Sequence, residues 1–381
     1  MGTDRLYPSP SHRFRDGPLP LPAHAGRGVN DSAASRLRVQ WGPSAACTTV
    51  ARMRVLVFGG AGFVGLGIAE ALLARGDDVT LLDRRPPPQA ARTAFGSLPG
   101  RLSVVAGNVR DENDVRYAVA DMPDVVIYGA ALTADAAREA AEPDRILDIN
   151  VGGLVRVLQA VAAGAVRRTI LLSSASAYGE SAYQDGPIDE TAAAAPRSLY
   201  AVSKLAGEQF ARRLAELGGL DVRMVRLSSV FGPWEHETGV RDTLSPPYQV
   251  ALAALEGRPA LLPRPCMRDF VYVRDVAEAV VALIDAPSPR YDLYNIGPGA
   301  SWSLLDWGVQ LRDIARPGFE CRVRAAGETA TINLHGDRDR SPLAIGRLTD
   351  DLLYKPRYGW ARSAQDYGAW LGRHGVSLML P

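Results

Sequence analysis

The sequence predicts an α/β fold, a doubly wound parallel sheet with a smaller C-terminal lobe, and three observations predict it. From residue 53 onward, short apolar and β-branched runs alternate with stretches of helical periodicity, the pattern of a parallel sheet covered by helices on both faces. The first run breaks into a glycine-spaced turn and passes straight into a helical pattern. After about residue 230 the alternation lapses into irregular sequence richer in Pro and aromatic residues, as expected of a lobe closing over the C-terminal edge of the sheet.

Strands are expected over 54–58, 79–83, 102–106, 124–128, 169–173 and 222–227, and helices over 63–75, 111–120, 143–163, 198–217 and 247–256. The residues before them differ in kind. Residues 1–52 hold six prolines and seven Arg against three Asp, with little apolar periodicity and no signal-peptide core, and read as a disordered leader. Met53, immediately before the first strand, is then a candidate start.

The opening unit is Met53-Arg-Val-Leu-Val-Phe-Gly-Gly-Ala-Gly-Phe-Val-Gly65. Gly59 lets the chain turn sharply, Gly62 lets the backbone approach a pyrophosphate, and Gly65 permits close packing of helix on strand. The helix that starts at Phe63 and Val64 offers free N–H groups and the positive end of its dipole to phosphates. This is the beginning of a Rossmann-type dinucleotide-binding unit. Asp83, which ends the next apolar run 18 residues after Gly65, would accept hydrogen bonds from ribose hydroxyls and repel a 2′-phosphate. NAD is therefore expected over NADP, with Arg84 and Arg85 placed to soften that preference.

Composition excludes several classes. Basic and acidic residues nearly cancel, 43 against 42, so no nucleic-acid partner is implied. The 41 Arg against two Lys reflect a compositional bias rather than a basic patch. Cys47, Cys266 and Cys321 have neither paired nor metal-ligand spacing, and the five His form no cluster, so no metal is expected and a reducing cytoplasm fits. No apolar run reaches the ~18 residues of a membrane span.

Chemistry concentrates in two stretches. Tyr200-Ala-Val-Ser-Lys204 places a phenol and an ammonium one helical turn apart on one face. The ammonium favours the phenolate and draws the phenol down from its usual value of about 10 towards the range useful for proton transfer. A Lys in a chain that otherwise spells its cations as Arg points to a need for a compact ammonium. Leu171-Leu-Ser-Ser-Ala-Ser-Ala-Tyr-Gly179 reads as a strand entering a polar turn at the ligand crevice, where the Ser174 hydroxyl would bond the oxygen whose proton Tyr200 moves.

Taken together, the glycine loop, Asp83, Ser174 and Tyr200-x-x-x-Lys204 resemble the extended short-chain dehydrogenase/reductase family, the NAD-dependent epimerase/dehydratases. Further stretches are similar in order: Gly107-Asn-Val-Arg-Asp111, Gly129-Ala-Ala131, Asn150-Val-Gly-Gly153, Pro187-Ile-Asp-Glu190, Arg226 to Pro233, Arg268 to Asp275, Tyr294-Asn-Ile-Gly297 and Tyr354-Lys-Pro-Arg357. The resemblance spans about residues 53–373. It implies Tyr200 as general acid/base, Lys204 on the nicotinamide ribose and Ser174 positioning the reacting oxygen. It also implies Asn108 and Val109 beside the adenine, Ala130, Ala131 and Asn150 along the cofactor, and Arg268 on the diphosphate of a sugar nucleotide. Asp275 is expected as a helix cap where the chain returns to the cofactor-binding part, near 271–297. The implied division is 53–230 for the NAD-binding domain, with that return segment, and 231–381 mainly for substrate. The family also implies a homodimer joined through helices 111–120 and 143–163.

Two departures bear on the reaction. Ser174, Ala175 and Ser176 stand where sugar-nucleotide 4,6-dehydratases usually carry Thr-Asp-Glu, so dehydration by that route is not expected. Ser229 replaces an Asn that often holds the diphosphate, and a hydroxyl cannot reproduce a two-ended amide contact. The ending Asp366 to Gly375 is similar to members whose substrates are small hydroxy acids or amino acids as well as sugars. Three readings follow: an epimerase of a nucleotide sugar, a dehydrogenase of a small hydroxy acid or amino acid, and a non-catalytic NAD(P) sensor on the same scaffold.

Overall fold

In the computed structural model, seven parallel strands form the central sheet in the order β3-β2-β1-β4-β5-β6, with one late strand added beyond β6. The structure describes residues 52–374, and the expected leader, with Cys47, lies outside the described residues but for Arg52. In chain order the sheet portion comprises β1 (Arg54–Phe58), α1 (Phe63–Arg75), β2 (Asp78–Asp83), α2 (Gln89–Phe95), β3 (Arg101–Ala106), α3 (Glu112–Ala120), β4 (Val125–Tyr128), α4 (Ala136–Ala141), α5 (Pro143–Leu147), α6 (Gly153–Ala162), β5 (Arg168–Ser174), α7 (Leu199–Gly218) and β6 (Val222–Leu227). The lobe follows with β7 (Ser229–Phe231), α8 (Pro246–Glu256), β8 (Ala260–Leu262), β9 (Met267–Arg268) and β10 (Phe270–Tyr272). After α9 (Val273–Asp285) the chain returns to the sheet as its seventh strand, β11 (Leu293–Ile296).

Period-two alternation explains the two cores. Val55 and Val57 of β1 point into one with Leu66, Ile68 and Leu72 of α1, while Leu56 and Phe58 point into the other with Val157 and Leu158 of α6. The first core runs on without a break into the lobe through Phe231, Trp302, Trp307 and Trp370. Phe231 stands edge-on to Trp302 at 5.4 Å and to Trp307 at 5.2 Å, a packing favoured by the ring quadrupoles. Gly67 is needed where α9 crosses α1, because a Cβ there would run into Val273. No helix among the described residues is long and apolar enough to cross a membrane.

One expectation is refined and another corrected. The helix expected over 143–163 is present over 143–162, with one wide π-helical turn, Asp148–Gly152, joining α5 to α6. There the Ile149 carbonyl accepts from the Tyr128 hydroxyl at 2.6 Å, and a Cβ on Gly153 would sit 2.5 Å from that same hydroxyl. Asp275 is not a cap. It lies within the first turn of α9, fully buried, and its carboxylate accepts from the Arg357 and Tyr358 amides at 2.7 and 2.9 Å and from the Tyr354 hydroxyl at 3.0 Å. It fastens the C-terminal segment, and burial pushes its pKa up.

Candidate active site

Strand order reverses beside β1, and the crevice above β1 and β4 is where an open α/β sheet binds ligands. The cradle is made of backbone. Gly59 has φ +75°, and a Cβ there would lie 2.6 Å from the Ala130 amide nitrogen, so the glycine loop and the Gly129–Ala131 turn touch main chain to main chain. A Cβ on Gly65 would lie 2.7 Å from the Gly59 carbonyl. The first bond into α1 is Leu66 N–H to Gly62 C=O, which leaves the N–H groups of Phe63, Val64 and Gly65 facing the crevice as anion donors. These features fit a dinucleotide. Asp83 stands beside them at the end of β2, accepting from the Ala61 amide at 3.2 Å and the Arg85 amide at 3.3 Å. Its carboxylate thus shapes the loop it flanks.

Tyr200 and Lys204 lie on the inner face of α7, which Ser198 caps by accepting from the Ala201 amide. The Lys204 ammonium is buried, donates to the Leu172 carbonyl at 2.9 Å, and sits 5.7 Å from the centre of the Tyr200 ring. Ser174 ends β5 opposite, and its hydroxyl accepts from the Ser176 hydroxyl at 2.7 Å. Ser174, Tyr200, Lys204, Ser229 and Arg268 all line one cleft of about 580 Å³ that also contains Gly59, Gly62 and Ala131. The sequence therefore placed a nucleotide cradle and a Tyr-Lys-Ser set at two separate points of the chain, and the fold brings them together.

Other expected residues stand back from the cleft. Asn150 is buried, with Oδ1 accepting from the Leu132 amide at 2.7 Å and Nδ2 donating to the Leu132 carbonyl and to the Ser203 hydroxyl. It ties the loop after β4 to α7, and Ser203 in turn donates to the Tyr200 carbonyl. Asn108 accepts from the Arg110 amide, and Val109 is buried against Gly153, so both shape the β3–α3 loop. Ala130 packs on Gly59 through its backbone.

Beneath Ser174 and Lys204 runs a network that sequence reading missed. Glu208, one turn beyond Lys204 and fully buried, accepts from the Ser173 hydroxyl at 2.5 Å and takes the Arg226 guanidinium in a two-point pair at 2.9 and 2.6 Å. Burial opposes the Arg226 charge, but the Glu208 bonds outweigh it and drive its pKa up. Arg226 also lies 4.3 Å over the Tyr178 ring, whose hydroxyl donates to Asn295 at 2.8 Å on β11. The signal was present as Tyr200-x-x-x-Lys204-x-x-x-Glu208, a spacing that sets three polar groups on one inner face.

Part of the cleft lining is cationic. Arg268 is 5 % exposed, donates only to the Leu334 carbonyl at 3.3 Å, and keeps a buried Nε with no hydrogen bond. Arg340 beside it reaches the Ser228 hydroxyl at 3.0 Å and Asp269 at 3.3 Å, and its Nε is likewise unbonded. Burial first, and then the neighbouring Arg340, pull the Arg268 pKa down. Among the described residues no carboxylate lies within ion-pair distance of Arg268, although the charges of Asp269 and Asp339 act on it.

Cradle and Tyr-Lys-Ser set together define a Rossmann-fold oxidoreductase, and comparison with known proteins narrows the class. Residues 55–297 match the NAD dependent epimerase/dehydratase family, to which this chain belongs. The chain is 30% identical over 266 residues to the UDP-glucose 4-epimerase of Streptomyces lividans, covering 66% of this chain and 78% of that protein. It is 27% identical to the dTDP-L-rhamnose 4-epimerase of Burkholderia thailandensis, over 84% of this chain and 95% of the relative. Among solved structures, a UDP-glucose-4-epimerase from Stenotrophomonas maltophila with bound NAD and formylated UDP-arabinopyranose superposes with a TM-score of 0.69, at 25% identity, over 84% of this chain and 98% of the other. The protein is an NAD-dependent enzyme of the epimerase type.

Proposed function

We propose that this enzyme inverts a secondary alcohol of a nucleotide sugar. The observation that carries the reading is the single cleft that holds both the Tyr200–Lys204–Ser174 set and the buried Arg268, which has no carboxylate partner among the described residues. Such a site suits a ligand with a reacting hydroxyl at one end and a diphosphate at the other. The relatives named above carry nucleotide sugars in their names, which favours this substrate over a small hydroxy acid, even though Ser229 does line the cleft.

In this reading the Gly59–Gly65 loop and the first turn of α1 hold the pyrophosphate of NAD, and Asp83 holds its adenosine ribose. NAD, when bound, supplies the acceptor and donor of the hydride. Tyr200 takes the hydroxyl proton as the carbinol C–H bond breaks and gives it back when hydride returns to the opposite face, so atoms and electrons balance within one turnover. Lys204, fixed by the Leu172 carbonyl, aligns Tyr200 and the nicotinamide ribose. Ser174, backed by Ser176, holds the reacting oxygen. Arg268, with Arg340 next to it, neutralises the diphosphate and fixes the sugar relative to Tyr200. With Ala175 and Ser176 carrying no carboxylate, the cleft offers no acid/base pair for water loss at these positions. The test is incubation of the purified chain with NAD and a panel of nucleotide sugars, products being resolved by chromatography and NMR because epimers share a mass. Interconversion without net NADH is expected, and stoichiometric NADH accumulation would replace the epimerase with a dehydrogenase.

We also infer a division of labour in which residues 53–230, with the return segment 271–297, bind cofactor and 231–381 mainly bind substrate. A homodimer is supported by exposed apolar residues on the expected helix 143–163 and on α7. Val115, Ala118 and Val119 of α3 are consumed by α6 in the second core, whereas Leu147 of α5 and Leu199, Val202 and Phe210 of α7 are exposed by 58, 38, 43 and 49 %. The spacing of the last three, with Ala206, makes an apolar stripe along α7 that a second copy would cover. A cytoplasmic site fits the free thiols of Cys266 and Cys321.

A further inference from the structure

The segment between β7 and α8 does more than connect two elements. Glu235, fully buried, accepts from the Ser245 amide at 2.7 Å and the Ser245 hydroxyl at 2.6 Å, so one carboxylate pins both ends of residues 236–244 together. That is the construction of an Ω-loop, a compact surface unit whose ends lie close together. Its root is firm. Trp234 is 1 % exposed in the left-handed region at φ +69°, donates to Glu70 of α1 at 3.0 Å, and meets Phe95 edge-on at 5.2 Å.

The tip of the loop is fastened elsewhere, to both sides of the glycine loop. On the β2 side, Arg85 donates to the Thr238 carbonyl at 3.2 Å. On the β4 side, Thr133 exchanges backbone bonds with Val240 and Asp242 at 2.8 and 3.2 Å, and the Asp135 amide donates to the Asp242 carboxylate. Arg138 adds a bond to the Gly239 carbonyl at 3.0 Å and an ion pair with Asp242 at 3.1 Å. Because β1 lies between β2 and β4, a chain tied to both neighbours crosses the mouth of the β1 loop. Thr238 and Val240 accordingly line the same cleft as Gly59 and Gly62.

We propose that residues 236–242 are a latch that retains the dinucleotide through the catalytic cycle, with Arg85, Arg138 and Asp242 as its fastening. The inference rests on the proposed cofactor site and deepens it. A dinucleotide seated on Gly59–Gly65 cannot leave until the tip lifts, so the hydride taken from the substrate and the proton taken by Tyr200 stay available for return to the same molecule. The latch thereby biases the enzyme to epimerisation over release of reduced cofactor. It also spends Arg85: a guanidinium engaged with the Thr238 carbonyl is not free to receive a 2′-phosphate.

The test is release of bound NAD from the full chain, chased with excess fluorescent etheno-NAD, alongside hydrogen exchange of residues 236–242. Asp242→Asn keeps the volume of the side chain and removes its charge, Arg138→Ala removes the other partner, and Arg85→Ala frees the opposite side. Release about tenfold faster in Asp242→Asn and at least as fast in Arg138→Ala is expected, the double variant being little faster than Arg138→Ala because that variant already removes the shared pair and the Gly239 bond. Exchange in the segment should rise in step. Wild-type release faster than turnover, or variant release within twofold of wild type, overturns the latch. The two readings separate cleanly: epimerisation with NAD lost at each turnover sinks the latch alone, whereas tight NAD without epimerisation sinks the reaction and spares the latch.

Discussion

The two ends of the cleft are built on different plans. At the cofactor end, recognition comes from main chain: a left-handed Gly59, three unpaired N–H groups and one carboxylate, all within residues 59–83. The substrate end is made of side chains drawn from distant segments, with Ser174 on β5, Ser229 on β7, Arg268 on β9 and Arg340 from the stretch leading to the last helices. A backbone cradle is local and tolerates few residue types, so it is legible and fixed. An assembly of side chains can change partner by partner, which is how one scaffold accommodates different sugars. Tyr200 and Lys204 sit at the seam, held from the cofactor side through Leu172 and from below through Asn150 and Ser203.

The largest expected effect lies at that seam. Tyr200→Phe keeps the ring and its packing and removes the oxygen that transfers the proton in the proposed mechanism, so kcat should fall by ~10² to 10⁴ with fold and NAD binding intact. Activity within a few-fold of wild type, measured beside circular dichroism and NAD titration, would revive the sensor reading. Next is the support beneath both ends. Glu208→Ala would leave the Arg226 guanidinium buried without its partner, and breaking a buried pair in this way costs about 3–5 kcal/mol. Thermal unfolding should show a clear drop in Tm. A variant as stable as wild type would mean that water or Tyr178 can take over the charge.

Arg268→Ala separates the two ends. It removes a contact made equally by bound substrate and transition state, so KM should rise by about ten- to a hundredfold with little change in kcat, while NAD affinity stays put. Arg268→Lys should recover part of the loss, since a point charge reaches one phosphate but lacks the planar fork. An equal fall in kcat would show instead that Arg268 positions the sugar for Tyr200.

How much was readable follows the same divide. The strands over 54–58 and 79–83 and the helix over 63–75 emerge within a residue of expectation, because each buries a repeating apolar face and the glycines punctuate their junction. The helix over 143–163 is present, but its wide turn was not legible because the apolar period continues through it, and the partners of that turn are tertiary: Tyr128 reaching Ile149, and Asn150 reaching Leu132. Arg340 and the 236–242 loop carried no motif, since their meaning depends on what faces them across the cleft. Exposed apolar residues occur on both helices expected at the dimer surface, Tyr117 and Leu147, and also on α7, which the sequence did not single out. Periodicity reveals that a face is apolar, not whether a neighbour in the same chain already covers it.

The smallest effect expected, and the one that best probes the cofactor end, concerns Asp83. Its carboxylate holds the Ala61 amide in this structure and, in the proposed binding mode, also takes the ribose hydroxyls of NAD. Asp83→Asn keeps an acceptor for Ala61 but loses the charge, so it relaxes the repulsion of a 2′-phosphate while sparing the loop. Asp83→Ala loses both. If the charge sets the preference, Asp83→Asn should narrow the NAD to NADP affinity ratio by about tenfold at nearly unchanged stability, and Asp83→Ala should add a loss of affinity for both cofactors. Fluorescence titration of the two cofactors against each variant measures this. Because Arg85 is engaged with Thr238, neither variant should bind NADP tightly until Arg85 is released, and combining Asp83→Asn with Thr238→Gly would leave that carbonyl bond in place. The informative partner is therefore Asp242→Asn, which loosens the loop that holds Arg85. A further gain in NADP affinity in that double variant ties cofactor choice to the latch, and its absence assigns the choice to the Asp83 carboxylate alone.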